Sequence, residues 1–197
     1  MQKLLLTFLI ILFTLASNAV WSADYYKGQK AYFDGDYVTA LRELKPLAEQ
    51  GDDDAQFWVG RMYDQGYGVI QNYKTAEKWY TLSAEQGDDD AQYNLGVMYD
   101  QGYGVIQYYK TAVKWYTLSA EQGDPDAQYN LALMYYYGDG VIEDNVYAHM
   151  WLNISASDGY AKASEARDTI AKKMTSSDIS KAQNLARECV AKNYKGC

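Results

Sequence analysis

Two kinds of apolar segment alternate along the chain, both at helical spacing. At about 100° per residue, Asp54–Gln65 gathers Ala55, Val59, Gly60, Met62 and Tyr63 on one side. Phe57, Trp58, Arg61, Asp64 and Gln65 fall on the opposite, outward arc. In Asn72–Gln86 the packing stripe is Tyr73, Ala76, Trp79, Tyr80, Ser83 and Ala84, with Lys74, Glu77, Lys78, Thr81 and Glu85 outward. The pattern predicts two amphipathic helices. The aspartates Asp52–Asp54 precede the first and suit its positive end. Gly66-Tyr67-Gly68 ends it, because glycine enters the left-handed region at low cost. Small Ala55 and Gly60 predict a close approach between helices.

This pair recurs with an unbroken 36-residue period as Ala48–Ser83, Ala84–Ser119 and Ala120–Ser155, and the first two copies share 30 of 36 residues. Units of this size bury their apolar face only against a neighbouring copy, so the fold expected is an all-α, α/α superhelical solenoid of helix-turn-helix repeats. Counted from the aspartates, the repeats are 52–87, 88–123 and 124–159. Residues 24–51 read as a shortened N-terminal capping unit in which Asp34-Gly35-Asp36 replaces the glycine loop. Residues 160–197 read as C-terminal capping helices over about Tyr160–Lys173 and Ser177–Ala191, the second capped by Thr175 or Ser176.

The repeats resemble the Sel-1-like repeat family, a relative of the tetratricopeptide repeats. Copy two carries the family pattern as Ala91, Leu95, Gly96, Tyr99, Gly102, Gly104, Val105, Lys110, Ala112, Trp115, Tyr116, Ala120 and Gly123. Copy three departs at Ala132, where the family has glycine, and at Tyr147, where it has lysine. The resemblance implies α/α superhelical adaptors of secretion, signalling and the bacterial envelope, without a common reaction. Some cysteine-rich members of the family are linked to β-lactamase-like activity, but no Ser-x-x-Lys motif occurs in this chain.

Composition narrows the partner. The formal charge is −8, and an acidic surface repels phosphate backbones and anionic lipids, which argues against nucleic acid. At the N-terminus, Lys3, the apolar run Leu4–Ala16 and Ser17-Asn18-Ala19 read as a secretory leader, residues 1–19, cleaved after Ala19 or alternatively after Ser22. Cleavage would take the charge to −9 and leave no segment of membrane-spanning length, so no stable membrane insertion is expected. An uncleaved anchor is the other reading of this segment. A periplasmic or secreted destination favours a disulfide between the two cysteines, Cys189 and Cys197, stapling the tail to the last helix.

Catalytic constellations are sparse. His149 is the only histidine, and its equivalents Glu77 and Val113 place it on an outward arc, as a surface residue. The Asp52–Asp54 and Asp88–Asp90 runs lack the alternating spacing of a calcium loop, so capping is the expected role. No metal, cofactor or catalytic residue is expected. More informative is where the copies differ. Variation on the outward arc of the first helices yields a row of Phe57, Trp58, Arg61, Tyr93, Asn94, Val97, Tyr129, Asn130, Leu133 and Tyr136. Aromatic faces with asparagine carboxamides suit the clamping of an extended peptide. The expected function is therefore a non-catalytic adaptor or scaffold for a protein or peptide. An envelope hydrolase or carbohydrate-active protein, and a homotypic stack, are the alternatives. In copy three the outward arc of the second helix (Val146, His149, Met150, Asn153 and Ser157) has lost its lysines and is expected to lie under the C-terminal helices.

Overall fold

The structure, a computed structural model, describes residues 23–157 and 159–197. The expected leader lies outside the described residues. Ten helices follow one another: α1 (Tyr25–Phe33), α2 (Tyr37–Glu49), α3 (Asp53–Gln65), α4 (Tyr73–Gln86), α5 (Asp89–Gln101), α6 (Tyr109–Ala120), α7 (Pro125–Tyr137), α8 (Asn145–Ser157), α9 (Ala161–Ala171) and α10 (Ser176–Ala191). No strand occurs among the described residues, and no described helix is long and apolar enough to cross a membrane. Each helix from α2 to α9 packs on the one before it, α10 packs back on α8, and α5 also touches α7, as a curved stack with the first helices inside requires. This is the α/α solenoid expected from the period.

The repeated helix ends have identifiable causes. Asp52, Asp88 and Asp124 accept the backbone N–H groups of Ala55, Ala91 and Ala127 at 2.8, 2.6 and 2.6 Å. Gly66, Gly102 and Gly138 close the same helices in the left-handed conformation, at φ of 73°, 74° and 74°. Asn72 caps α4 by accepting from Thr75 at 3.0 Å, whereas its equivalent Tyr108 offers α6 no cap.

Within a repeat, the glycine of the first helix admits the tyrosine of the second. A Cβ on Gly60 would lie 2.8 Å from Tyr80 Cδ1, and one on Gly96 would lie 2.5 Å from Tyr116 Cε1. The third repeat solves the same contact differently, with Ala132 in place of glycine and Leu152 in place of tyrosine, both fully buried. Ala132, a departure from the family pattern, is thus accommodated by a smaller partner side chain.

Between repeats runs a glutamine ladder that the hydrophobic pattern does not reveal. Gln92 Nε2 donates to Ala84 O at 3.1 Å, and Gln122 Nε2 reaches both Gln92 Oε1 at 2.9 Å and Gly87 O at 2.8 Å. The Gln56–Gln86 pair repeats the arrangement one unit earlier. These bonds satisfy buried carbonyls at each junction and fix the stacking distance.

The C-terminal helices α9 and α10 pack on α8, and Thr175 caps α10. His149 is consequently 3 % exposed, which corrects the surface position that its repeat equivalents implied and agrees with the expected cover of this arc by the C-terminal helices. Burial, reinforced by the charge of Arg167, pushes its imidazole below the ordinary histidine range. Cys189 and Cys197 are disulfide-bonded. The closed tail also reaches another repeat, since Gly196 N donates to Glu121 Oε1 at 2.8 Å and the Tyr194 ring lies against Gly123.

Candidate binding groove

The N-termini of α3, α5 and α7 bring one aspartate group per repeat to the inner side of the stack, beside the tyrosines of the same helices. At the junction of the first two full repeats, the C-terminal half of α3 and the N-termini of α5 and α7 border a cavity of about 340 Å³. Phe57, Arg61 and Asp64 of α3 form one wall and Asp90, Tyr93 and Asn94 of α5 the other. Tyr80 of α4 lines it as well, and Asp124 and Asp126 border it from the start of α7.

The electrostatics of this space are lopsided. Four carboxylates face one guanidinium, and that guanidinium rests on aromatic rings, 5.7 Å from the Trp58 centroid and 5.9 Å from that of Tyr32. Burial raises Asp90 above the ordinary carboxylate range, with Asp89 adding to it. Desolvation lifts Asp124 to about 6 despite its capping bond, with Asp126 contributing, and lifts Asp88 similarly to about 6. The wall thus holds partly desolvated carboxylates that outnumber its one cation.

Of the ten residues expected to clamp a peptide, Phe57, Arg61, Tyr93 and Asn94 meet at this cavity. Trp58 does not belong to an outward surface. It is 8 % exposed, packs on Tyr32 and Phe33 of α1, and donates its indole N–H to Tyr25 at 3.1 Å. Phe57, at 4 % exposed, is a buried wall rather than an open face. Both correct the outward position expected from the helical wheel: α1 covers Trp58, and Phe57 packs on Trp58 and Tyr80 of its own repeat. Val97 and Leu133 are half-buried away from the cavity.

The rest of the row is occupied from within. Asn130 stands at hydrogen-bonding range of Tyr93 and Tyr116, and Tyr116 donates to Asp100 at 3.5 Å. Tyr129 packs edge-on to Tyr160 at 5.5 Å, and the Tyr160 hydroxyl pairs with Asp126. Tyr136 accepts from Lys173, which follows α9. At the second junction these side chains pair with one another and with residues flanking α9, while at the first their counterparts line the cavity. Sequence analysis missed Tyr80, Asp64 and Asp90, the first because its helical stripe marks it as core.

No group of histidine, cysteine, aspartate or glutamate among the described residues converges as a metal site. A profile of the Sel1 repeat matches residues 53–88, 89–124 and 125–160, more than half of the chain. The chain belongs to the Sel1 repeat family. Among solved structures it is similar to a Sel1 repeat protein from Oxalobacter formigenes, at 39 % identity over 66 % of this chain and 97 % of that one, with a TM-score of 0.61. It is also similar to c5321, described as a protective antigen of uropathogenic Escherichia coli strains displaying an SLR fold. That likeness is 29 % identity over 80 % of this chain and 42 % of the other, with a TM-score of 0.53. No curated protein matches the chain. Sel1 repeat proteins are generally scaffolds for protein interaction, which is the class this chain joins.

Proposed function

We propose that this Sel1 repeat protein is a non-catalytic adaptor of the bacterial envelope that captures a protein or peptide segment in its inner groove. The observation that carries this reading is the open junction between the first two full repeats. There Arg61, Tyr93 and Asn94 line a cavity of about 340 Å³, whereas one repeat later Tyr129 packs on Tyr160 and Tyr116 donates to Asp100. Half-buried Tyr93 gives apolar area, and the Asn94 carboxamide, whose Nδ2 is held by Asp90 O, offers its Oδ1 for backbone pairing. The disulfide Cys189–Cys197 supports an oxidising destination, in keeping with an exported protein.

The test is affinity capture from the native envelope with the tagged full chain and with a variant carrying Arg61→Ala, Tyr93→Ala and Asn94→Ala. The adaptor reading expects the partner to be lost while the thermal midpoint stays within a few degrees. Undiminished capture by the triple variant would discard it, as would steady turnover of a peptidoglycan fragment or β-lactam by pure protein.

A further inference from the structure

The tyrosines Tyr80 and Tyr116 are equivalent, yet their hydroxyls differ in one respect. Tyr116 donates to Asp100, with Asn130 beside it. Tyr80 is fully buried, lines the open cavity, and its hydroxyl has no partner. The cause is visible next door. Asn94, the equivalent of Asn130, turns back and donates its Nδ2 to Asp90 O at 2.7 Å, so it does not serve the buried Tyr80 hydroxyl in the cavity wall. A buried hydroxyl without a partner is costly in a folded chain and calls for a ligand atom.

The ligand's chemistry follows from what surrounds that hydroxyl. Asp64, Asp90, Asp124 and Asp126 share the cavity with one cation, Arg61, which is already stacked on Trp58 and Tyr32. An anionic group would meet a net negative wall. A metal ion would need converging ligands, and none converge among the described residues. A flat or branched N–H donor with an aliphatic stem meets both demands: the stem lies along Phe57 and Tyr93, and the head reaches carboxylates and the tyrosine oxygen.

We propose that the cavity between the first two full repeats is a specificity pocket for a lysine or arginine side chain carried by an extended segment of a partner protein. This rests on the groove reading above. The side-chain head donates to Tyr80 Oη and to Asp90, and the Tyr80 proton is directed to Asp64. The raised carboxylate of Asp90 is relieved when a cation arrives, so the pocket is more at ease occupied than empty.

The experiment titrates the full chain by calorimetry with acetylated pentapeptide amides Ala-Asn-X-Asn-Ala, where X is Lys, Arg, Gln or Glu, and with spermidine. Lys and Arg peptides are expected to bind about 10-fold or more tightly than the Gln peptide, with Glu weakest, as for loss of a charge-assisted bond. Tyr80→Phe is expected to weaken the Lys peptide about 5- to 10-fold without lowering the thermal midpoint, because it removes an unserved hydroxyl. Asp90→Asn weakens it similarly, and Tyr116→Phe leaves it within two-fold. Equal binding of Lys and Gln peptides, full-strength binding by Tyr80→Phe, or no binding by any peptide overturns the proposal. Spermidine binding more tightly than the Lys peptide overturns the peptide assignment in favour of a free polyamine. If the basic preference fails while capture still depends on Arg61, Tyr93 and Asn94, only the pocket chemistry falls. If capture ignores those three residues, the groove reading falls with it.

Discussion

Replacing Gly96 by alanine puts a methyl group where the Tyr116 ring now lies. The added Cβ would stand 2.5 Å from Cε1 and closer still to Cδ1, against a ring only 1 % exposed and held by its bond to Asp100. In an open helix the change from glycine would stabilise by about 0.8–1 kcal/mol. Overpacking in a closed interior costs about 1–3 kcal/mol, occasionally more, and a ring with no free side belongs at the upper end. The expected net loss for Gly96→Ala is therefore about 1–2 kcal/mol, or about 2–8 °C in midpoint for a chain of this size. The third repeat supplies the compensation, since it carries buried Ala132 and Leu152 at the two equivalent positions. Gly96→Ala combined with Tyr116→Leu should recover much of what the single changes lose, giving a favourable coupling of about 1–3 kcal/mol in a double-mutant cycle. Urea denaturation of the four proteins measures it. A neutral or stabilising Gly96→Ala, or strictly additive changes, would show that the glycine–tyrosine contact does not set the helix spacing.

Other consequences are simpler to read. Tyr108 and Asn72 share the same extended backbone, at φ of −150° and −151°, but only Asn72 caps its helix. Tyr108→Asn should stabilise by about 1 kcal/mol, and differential scanning calorimetry showing no rise in midpoint would refute the capping argument. Asp124 is raised to about 6, so between its unfolded value near 3.8 and 6 the native state holds more protons and stability falls as pH rises. Asp124→Asn keeps the cap and should raise the unfolding free energy from urea denaturation at pH 7.5 by about 1–2 kcal/mol after discounting partial exposure, with no gain at pH 4. Buried His149 acts in the opposite sense. Its depressed native value means stability is lost as pH falls below about 6.5, which His149→Leu should blunt in an acid-unfolding curve. Reducing the Cys189–Cys197 bond opens an eight-residue separation and should cost about 2–3 kcal/mol by loop entropy, checked by urea midpoints with and without reductant.

Much of the scaffold was legible because a repeat states its own rules more than once. Asp52 and Gly66 announce the ends of α3, and the stripe Ala76, Trp79, Tyr80, Ser83 and Ala84 is buried as its spacing predicts. Small Gly60 indeed admits a neighbouring helix. The groove was half legible. Arg61, Tyr93 and Asn94 stand where variation between copies pointed, and the lost lysines of the third repeat's arc pointed to the cover that α9 and α10 give His149, but Trp58 is covered by α1. Such burial depends on contacts between units, which the periodicity within one helix does not encode. The distinct fates of Asn94 and Asn130 are equally silent in sequence, because identical residues at equivalent positions choose partners by what the next repeat offers.

The most direct test of the account places a photo-crosslinking residue at Gln65, on the rim of the open junction, and separately at Lys114, exposed on the outer helix α6. With the natural partner bound, the account predicts a covalent adduct from position 65 and none from position 114. An adduct formed at 114 and absent at 65 would place the partner on the outer face and contradict it.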